Sequence, residues 1–427
     1  MKRSTRLSSE MNTHSATKSE RKKSLKHCLT LLTIAATALF LGFVTSVPDA
    51  VAQDGIRVIV PDSSVERPED IGVRAHTNII MVLPEKVEIG DNGAPIAENP
   101  LSLACIYHLV RPTKGCPQTS KVLPAGGAKA IALVDAYDNP NAETDIKAFA
   151  AAYGYSAPDF TKVKVGNPEP NSNWALEESL DIEYAFGQAP NAKIYLVEAN
   201  SNSFADLFAA EDKATSLLQE AGGGEASNSW CSSDFNGEKN YDSHFQGKGV
   251  VYFASAGDSG GEVCYPSSSP YVVSAGGTEI LRNSKGDFTS ETAWNEAGGG
   301  PSQNESRPSY QNIIKGIVGS HRGTPDISAE ASPVSYVAIY SEYGCGGWCG
   351  VGGTSVASPT IAGIINAAST FNTSTNAELT EAYTDYANPT KYKTDFTNIT
   401  TGSNDYPCKK GWTFCTGIGS PRTYKGK

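Results

Sequence analysis

Histidine is scarce in this chain of 427 residues: there are six, and two of them, His14 and His27, fall in the first 27 positions. Positive charge is also in short supply, with 35 Lys and Arg against 46 Asp and Glu and a formal charge of −11. That balance argues against a nucleic-acid-binding protein, which would present a basic face. Charged residues make up only 19% and hydrophobic residues 39% of the chain, so it can bury a core and is no disordered polyelectrolyte. Three Met beside 41 Gly and 19 Tyr fit a loop-rich exported protein. Long apolar runs are confined to one, residues 29–47, and no other segment could span a bilayer.

That run follows Arg21-Lys22-Lys23 and Lys26 and leads to Ala50-Val51-Ala52. A basic stretch, an apolar stretch and an Ala-x-Ala site describe a secretory signal peptide over residues 1–52, in preference to a membrane anchor. Secretion to a periplasmic or extracellular compartment is expected, with no membrane association after cleavage. Of nine cysteines, Cys28 lies in this leader, and an exported chain with eight remaining reads as a disulfide framework. Proximity pairs Cys105 with Cys116, Cys345 with Cys349 and Cys408 with Cys415, which leaves Cys231 and Cys264. The rival is a metal site at Cys345 and Cys349, but no histidine or second Cys pair stands near them.

Length alone allows two or three domains at roughly 150 residues each. Residues 53–126 read as an N-terminal arm or short pro-region, with one candidate strand over 79–83. From residue 127 the pattern sharpens. Apolar runs at 130–134, 194–197, 250–254 and 337–340 read as buried strands; residues 142–153, 174–188, 204–220 and 355–368 read as helices. Their alternation predicts an α/β domain over 127–427, a mostly parallel sheet with helices on both faces. Sites in such folds lie at the carboxyl ends of the strands.

The most informative run is Gly352-Gly353-Thr354-Ser355, followed at once by an apolar helix. A serine at a helix N-terminus is well placed as a nucleophile, because free N–H groups favour negative charge there. The plainer reading is an ordinary cap. The Gly-Thr-Ser-x-x-x-Pro context resembles the nucleophile motif of subtilisin-like folds, yet none of the remaining histidines (His76, His108, His244, His321) sits in the His-Gly-x-His setting such enzymes use. A base of another kind is needed. In the 174–188 helix, Glu177 and Asp181 share a face one turn apart, and two carboxyls in a partly dry site would titrate as a pair. Read blandly they are a solvated acidic face. Asp258, after the 250–254 strand and among glycines, points to the site edge or forms a simple Asx turn.

Taken together, Glu177-x-x-x-Asp181, Gly257-Asp258-Ser259-Gly260, Tyr265-Pro266 through Gly276-Gly277-Thr278, Gly323-Thr324-Pro325-Asp326-Ile327-Ser328-Ala329 and Gly353-Thr354-Ser355-x-x-x-Pro359 resemble the serine-carboxyl peptidases of the sedolisin/kumamolisin family, which share the subtilisin fold. The resemblance implies that Ser355 attacks the scissile carbonyl and Glu177 takes its proton. It makes Asp181 the hydrogen-bond partner of Glu177 and puts Asp258, protonated, in the oxyanion hole, a requirement that favours acidic pH. Asp135 and Trp230 would extend the hydrogen-bond chain.

Two departures from the family pattern stand out. The stretch after Gln53 is short for the family's folded prodomain, so the usual autoactivation route is in doubt. At the family's calcium site, Asn398 and Thr413 stand where carboxylates are expected, with Lys409 and Lys410 beside them, so that structural calcium is expected to be lost. No cofactor is needed for the chemistry. The expected protein is a secreted, monomeric endopeptidase, or a tripeptidyl-peptidase, acting on proteins or peptides at acidic pH. The alternatives are an inactive binding module on the same scaffold and a neutral-pH subtilisin-type protease using Asp135 and His244.

Overall fold

The computed structural model describes residues 52–53 and 56–425, so the expected leader lies outside it apart from Ala52, as does Cys28. The central sheet runs, edge to edge, through Phe288–Ala293, Val273–Arg282, Val250–Ser255, Gly224–Asn228, Ala130–Ala136, Lys193–Ala199 and Asp159–Val165; Ile327–Glu330 pairs with the second of these. All neighbours are parallel except the Phe288–Ala293 edge strand. Ala130–Ala136 and Val250–Ser255 are buried at every position, as strands covered on both faces must be.

One face carries three helices, Ala142–Tyr153, Ser172–Gln188 and Thr354–Ala367; the other carries Phe204–Glu220. Local chemistry sets their ends. Asn171 accepts from the Asn173 and Trp174 amides and so starts the acidic helix, while Ser203 caps Phe204–Glu220 in the same way. Gly154, at φ 81°, ends Ala142–Tyr153 in the left-handed conformation. Leu176 and Leu180 pack into one apolar cluster and Ile182, Ala185 and Phe186 into another, so the acidic helix is held on two sides.

Three segments depart from the sequence reading. Val337–Ser341 does not join the parallel sheet; it pairs antiparallel with Gly347–Gly352 in a second sheet that also takes in Ile80–Pro84 and Ile56–Ile59. An apolar run four residues long does not reveal which sheet will hold it. The 298–312 stretch, given no element in the sequence reading, contains the strand Gly300–Ser306, paired with His321–Thr324. Residues 56–126, whose pattern was hard to read, are tied into the body. Glu98 makes a two-pronged ion pair with Arg282, and the buried helix Pro100–Ile106 contributes to the largest apolar cluster.

All four expected disulfides are formed: Cys105–Cys116, Cys231–Cys264, Cys345–Cys349 and Cys408–Cys415. The motif around Asp326 is scaffold: its carboxylate takes two bonds from the fully buried Arg322 and others from the Ser274 amide and the Tyr383 hydroxyl. Such a pair is tolerated in the interior because every oxygen is engaged. Among the described residues no helix is long and apolar enough to cross a membrane.

Candidate active site

The first sheet strand, Ala130–Ala136, is flanked by Lys193–Ala199 and Gly224–Asn228, so the connections leave it on opposite sides. Beyond the carboxyl ends at such a reversal a crevice opens. Asp135, Ser229 and Asp258 all come from strand ends there, and the helices Ser172–Gln188 and Thr354–Ala367 pack side by side over it.

Ser355 is the second residue of its helix and has no exposed surface. Gly353 precedes the helix at φ 110°, a conformation costly for any residue with a Cβ. Pro359 lies within the helix and has no N–H to give the Ser355 carbonyl four residues back. The Ser229 hydroxyl approaches that freed carbonyl at 3.4 Å and donates to Asp181 Oδ1 at 2.7 Å. In turn the Ser355 hydroxyl donates to the Ser229 carbonyl at 3.3 Å.

The acidic face of Ser172–Gln188 is not solvated. Glu177, Glu178, Asp181 and Glu183 are all fully buried. Neither oxygen of Glu177 has a hydrogen-bond partner, nor has Asp181 Oδ2. Burial first, then the charges of Asp181 and Asp135, push Glu177 well above the usual carboxylate range; the nearby Ser355 hydroxyl opposes the rise and Asp258 adds to it. Burial and Asp135 raise Asp181 likewise, against the Ser229 hydrogen bond. The structure therefore brings Ser355, Glu177, Asp181 and Asp258 within electrostatic reach of one another. It does not show the direct Glu177–Asp181 hydrogen bond that the resemblance implied: Asp181 Oδ1 accepts from Ser229, and Oδ2 and both oxygens of Glu177 have no partner.

Asp258 is held by the residue before the nucleophile. Its Oδ1 accepts from both the amide and the hydroxyl of Thr354 at 2.8 Å, while Oδ2 is buried and unengaged. Burial, moderated by the two Thr354 bonds, raises its pKa to about 7. In acid this carboxyl is neutral and its free oxygen can donate. Asp135 lies beyond the carboxyl pair, fully buried and without a partner, with a pKa raised to about 8 by burial and by Glu198. Trp230 does not join this chain, for its indole N–H donates to the Val134 carbonyl at 2.8 Å.

Sequence reasoning missed Ser229, the grip of Thr354 on Asp258, and Glu178, whose carboxyl is raised well above its ordinary value by burial and by Glu198 and Asp135. A serine directly after a buried strand was the only signal for Ser229. His244 has no part in this arrangement: its Nδ1 bonds Asp212 at 2.8 Å and its ring stacks on Phe208. A cavity of about 230 Å³ beside Asp258 is lined by Ser64, Glu66, His76, Ser233 and Glu262.

The C-terminal loop holds the residues that stand where the calcium ligands were expected. Asn398 closes on Gly411 through both ends of its amide, the Thr413 hydroxyl is buried, and Lys409 and Lys410 are exposed beside them. An amide already engaged, a neutral hydroxyl and two ammonium groups are a poor donor set for a hard dication. Among the described residues no three His, Cys, Asp or Glu side chains converge to hold a metal ion.

A buried serine at a helix start, an acidic helix packed on it and an array of seven parallel strands in this order are the marks of a subtilisin-like fold. Comparison agrees. The subtilase family model matches residues 164–404. Kumamolisin of Bacillus sp. (strain MN-32) is 31% identical over 374 residues, covering 77% of this chain and 63% of the relative. Sedolisin of Pseudomonas sp. (strain 101) is 26% identical over 303 residues, covering 64% and 50%. The solved structure of Pseudomonas sedolisin, a serine-carboxyl proteinase in complex with pseudo-iodotyrostatin, superposes with a TM-score of 0.64 at 23% identity, over 76% of this chain and 95% of that one. The chain belongs to the subtilase family, in its sedolisin branch of serine-carboxyl peptidases. It spans between half and two thirds of the length of these two curated relatives.

Proposed function

We propose that this protein is a secreted, monomeric serine-carboxyl endopeptidase that hydrolyses peptide bonds of proteins and peptides in acid. The observation that carries the reading is the unpartnered, fully buried Glu177 carboxyl beside the Ser355 hydroxyl. Ser355 turns its hydroxyl from the Ser229 carbonyl towards Glu177, which takes the proton as Oγ adds to the scissile carbon. Asp181 and, behind it, Asp135 share that proton across a dry cluster in which adjacent carboxylates cannot all ionise. The developing oxyanion is met by the Ser355 amide and by the Asp258 carboxyl. Because Asp258 donates only when protonated, turnover falls as pH rises through about 7. The kumamolisin and sedolisin relatives support this assignment, and the name of another relative, Tripeptidyl-peptidase 1 of Dictyostelium discoideum, supports a tripeptidyl activity as the second reading. The chemistry asks for no metal, and the Cys408–Cys415 bridge takes over the stapling of the loop where the family holds calcium.

The test is hydrolysis of an unfolded protein from pH 3 to pH 9 by the wild type, Ser355→Ala, Glu177→Gln and His244→Ala. Activity confined to acid and abolished by the first two substitutions but not the third is expected. Activity that peaks above neutrality and dies with His244→Ala, or a folded protein without activity, overturns the reading.

A further inference from the structure

A strand from the N-terminal arm reaches the backbone amide of Ser355. His76–Thr77 adds antiparallel to Trp230–Ser233, with His76 opposite Cys231 and Thr77 opposite Trp230. The Asn78 amide then donates to the Ser229 carbonyl at 3.4 Å, continuing that register by one residue. The Asn78 carbonyl accepts from the Ser355 amide at 3.1 Å. A Cβ on Gly353 would stand 2.1 Å from this same oxygen and 2.6 Å from Asp258 Oδ2, so the carbonyl and the free carboxyl oxygen crowd one glycine. A carbonyl that accepts from the nucleophile's own amide, next to an unengaged Asp258 oxygen, occupies the oxyanion position. Strand addition along the cleft wall is the way extended peptides bind.

The side chain of Asn78 is housed as closely as its carbonyl. It is 1% exposed; its Nδ2 donates to Ser255 Oγ at 2.6 Å and lies 3.4 Å from Cys231 Sγ. The Cys231–Cys264 bridge walls this pocket, and a Cβ on Gly257 would already be 3.2 Å from Cys264 Sγ. The chain is held beyond Asn78 too. Ser64 Oγ donates to the Ile79 carbonyl at 2.8 Å, and Ile80 pairs with Gly352.

We infer that His76–Ile79 is bound as an intramolecular substrate: the Asn78–Ile79 peptide bond is the bond Ser355 cuts in its own chain, and the pocket around Asn78 selects a short amide side chain on the acyl side. The inference rests on the peptidase reading. Ser355 Oγ adds to the Asn78 carbonyl carbon and its proton passes to Glu177. The C–N bond to Ile79 breaks as that proton moves to the leaving nitrogen. Water then hydrolyses the Asn78 ester, restoring the Ser355 hydroxyl and leaving a carboxyl on Asn78 and an amine on Ile79. Until then the strand blocks the cleft against other substrates.

Full-length wild type and Ser355→Ala are incubated at pH 4 and their N-termini identified by mass spectrometry. The expected result is a new N-terminus at Ile79 in the wild type, formed at a rate independent of protein concentration, and none in Ser355→Ala. A synthetic peptide copying residues 72–84 should be cut between Asn and Ile, and its counterpart with Trp for Asn about a hundredfold more slowly, since a closed pocket rejects the larger ring. An intact Asn78–Ile79 bond overturns the inference, as does equal cleavage of the two peptides. If the same preparation digests an unfolded protein in a Ser355-dependent way, only the self-cleavage and pocket assignment fail. If it digests nothing, the peptidase reading falls with them.

Discussion

Glu211 sits on the Phe204–Glu220 helix, on the opposite face of the sheet from the nucleophile helix, and is fully buried with neither oxygen engaged. Burial raises its pKa from 4.5 to about 8. The buried Asn228 beside it has an unpartnered Oδ1, which a protonated Glu211 can satisfy. The folded state therefore keeps a proton that the unfolded chain gives up above pH 4.5, and stability drains away as pH rises between those two values. With each pKa unit of difference contributing about 1.4 kcal/mol, the loss through this one group is about 2 kcal/mol at pH 6 relative to pH 4, and about 4 kcal/mol at pH 8. Glu211→Gln offers Asn228 the same donor without a titrating proton. At pH 4 it should lie within about 1 kcal/mol of its parent, and at pH 8 it should be more stable by several kcal/mol. Urea unfolding followed by tryptophan fluorescence at pH 4, 6 and 8, in a Ser355→Ala background to prevent autolysis, measures this directly. A constant difference across the three pH values would refute the assignment of a buried, neutral Glu211.

Glu177→Gln should lower kcat by about a hundredfold or more through loss of the general base, while raising Tm at pH 7, because one raised carboxyl is gone. A variant that loses activity without that gain in stability would show that burial does not raise the Glu177 carboxyl. In a pH profile of kcat/KM, the alkaline limb should fall near pH 7, about tenfold per unit beyond it, as Asp258 (pKa about 7) ionises; a flat profile to pH 9 would remove Asp258 from the oxyanion hole. Calcium titration and chelator treatment should leave Tm unchanged, whereas a rise of several degrees would mean that the loop around Asn398 and Thr413 finds other ligands. Replacing Cys408 and Cys415 together by serine should cost about 2–3 kcal/mol in urea unfolding, the loop-closure value for so short a ring.

The buried carboxyls give these tests a common sign. Asp135, Glu198, Glu238 and Asp258 are raised mainly by burial, to between about 7 and about 9. Each contributes stability that is fully present below its unfolded pKa and lost as pH climbs through the folded one. The protein is built to be most stable where its proposed chemistry runs.

Much of this was legible in the sequence because it depends on short-range pattern. Phe204–Glu220 and Ala142–Tyr153 match the expected helices end to end, since their caps and apolar spacing are local. The strand order was not legible, because apolar runs of similar length carry no label for their neighbours; Val337–Ser341 was placed in the wrong sheet for that reason. The four disulfides followed from proximity and even count, which is topological information the chain carries in its spacing.

The candidate nucleophile and carboxyls could be named from motifs, but not their state. Whether Glu177 and Asp181 faced water or a dry interior is set by Thr354–Ala367 packing against their helix, a contact between segments far apart in the chain. Burial, and with it the upward shift of these two carboxyls, exists only once that packing is made. The role of Asn78 is the extreme case. Nothing around it forms a motif, and only the strand pairing of His76–Thr77 with Trp230–Ser233 carries its carbonyl to the Ser355 amide. The sequence determined which groups are available, and the fold decided which of them are dry, neutral and in reach of one another.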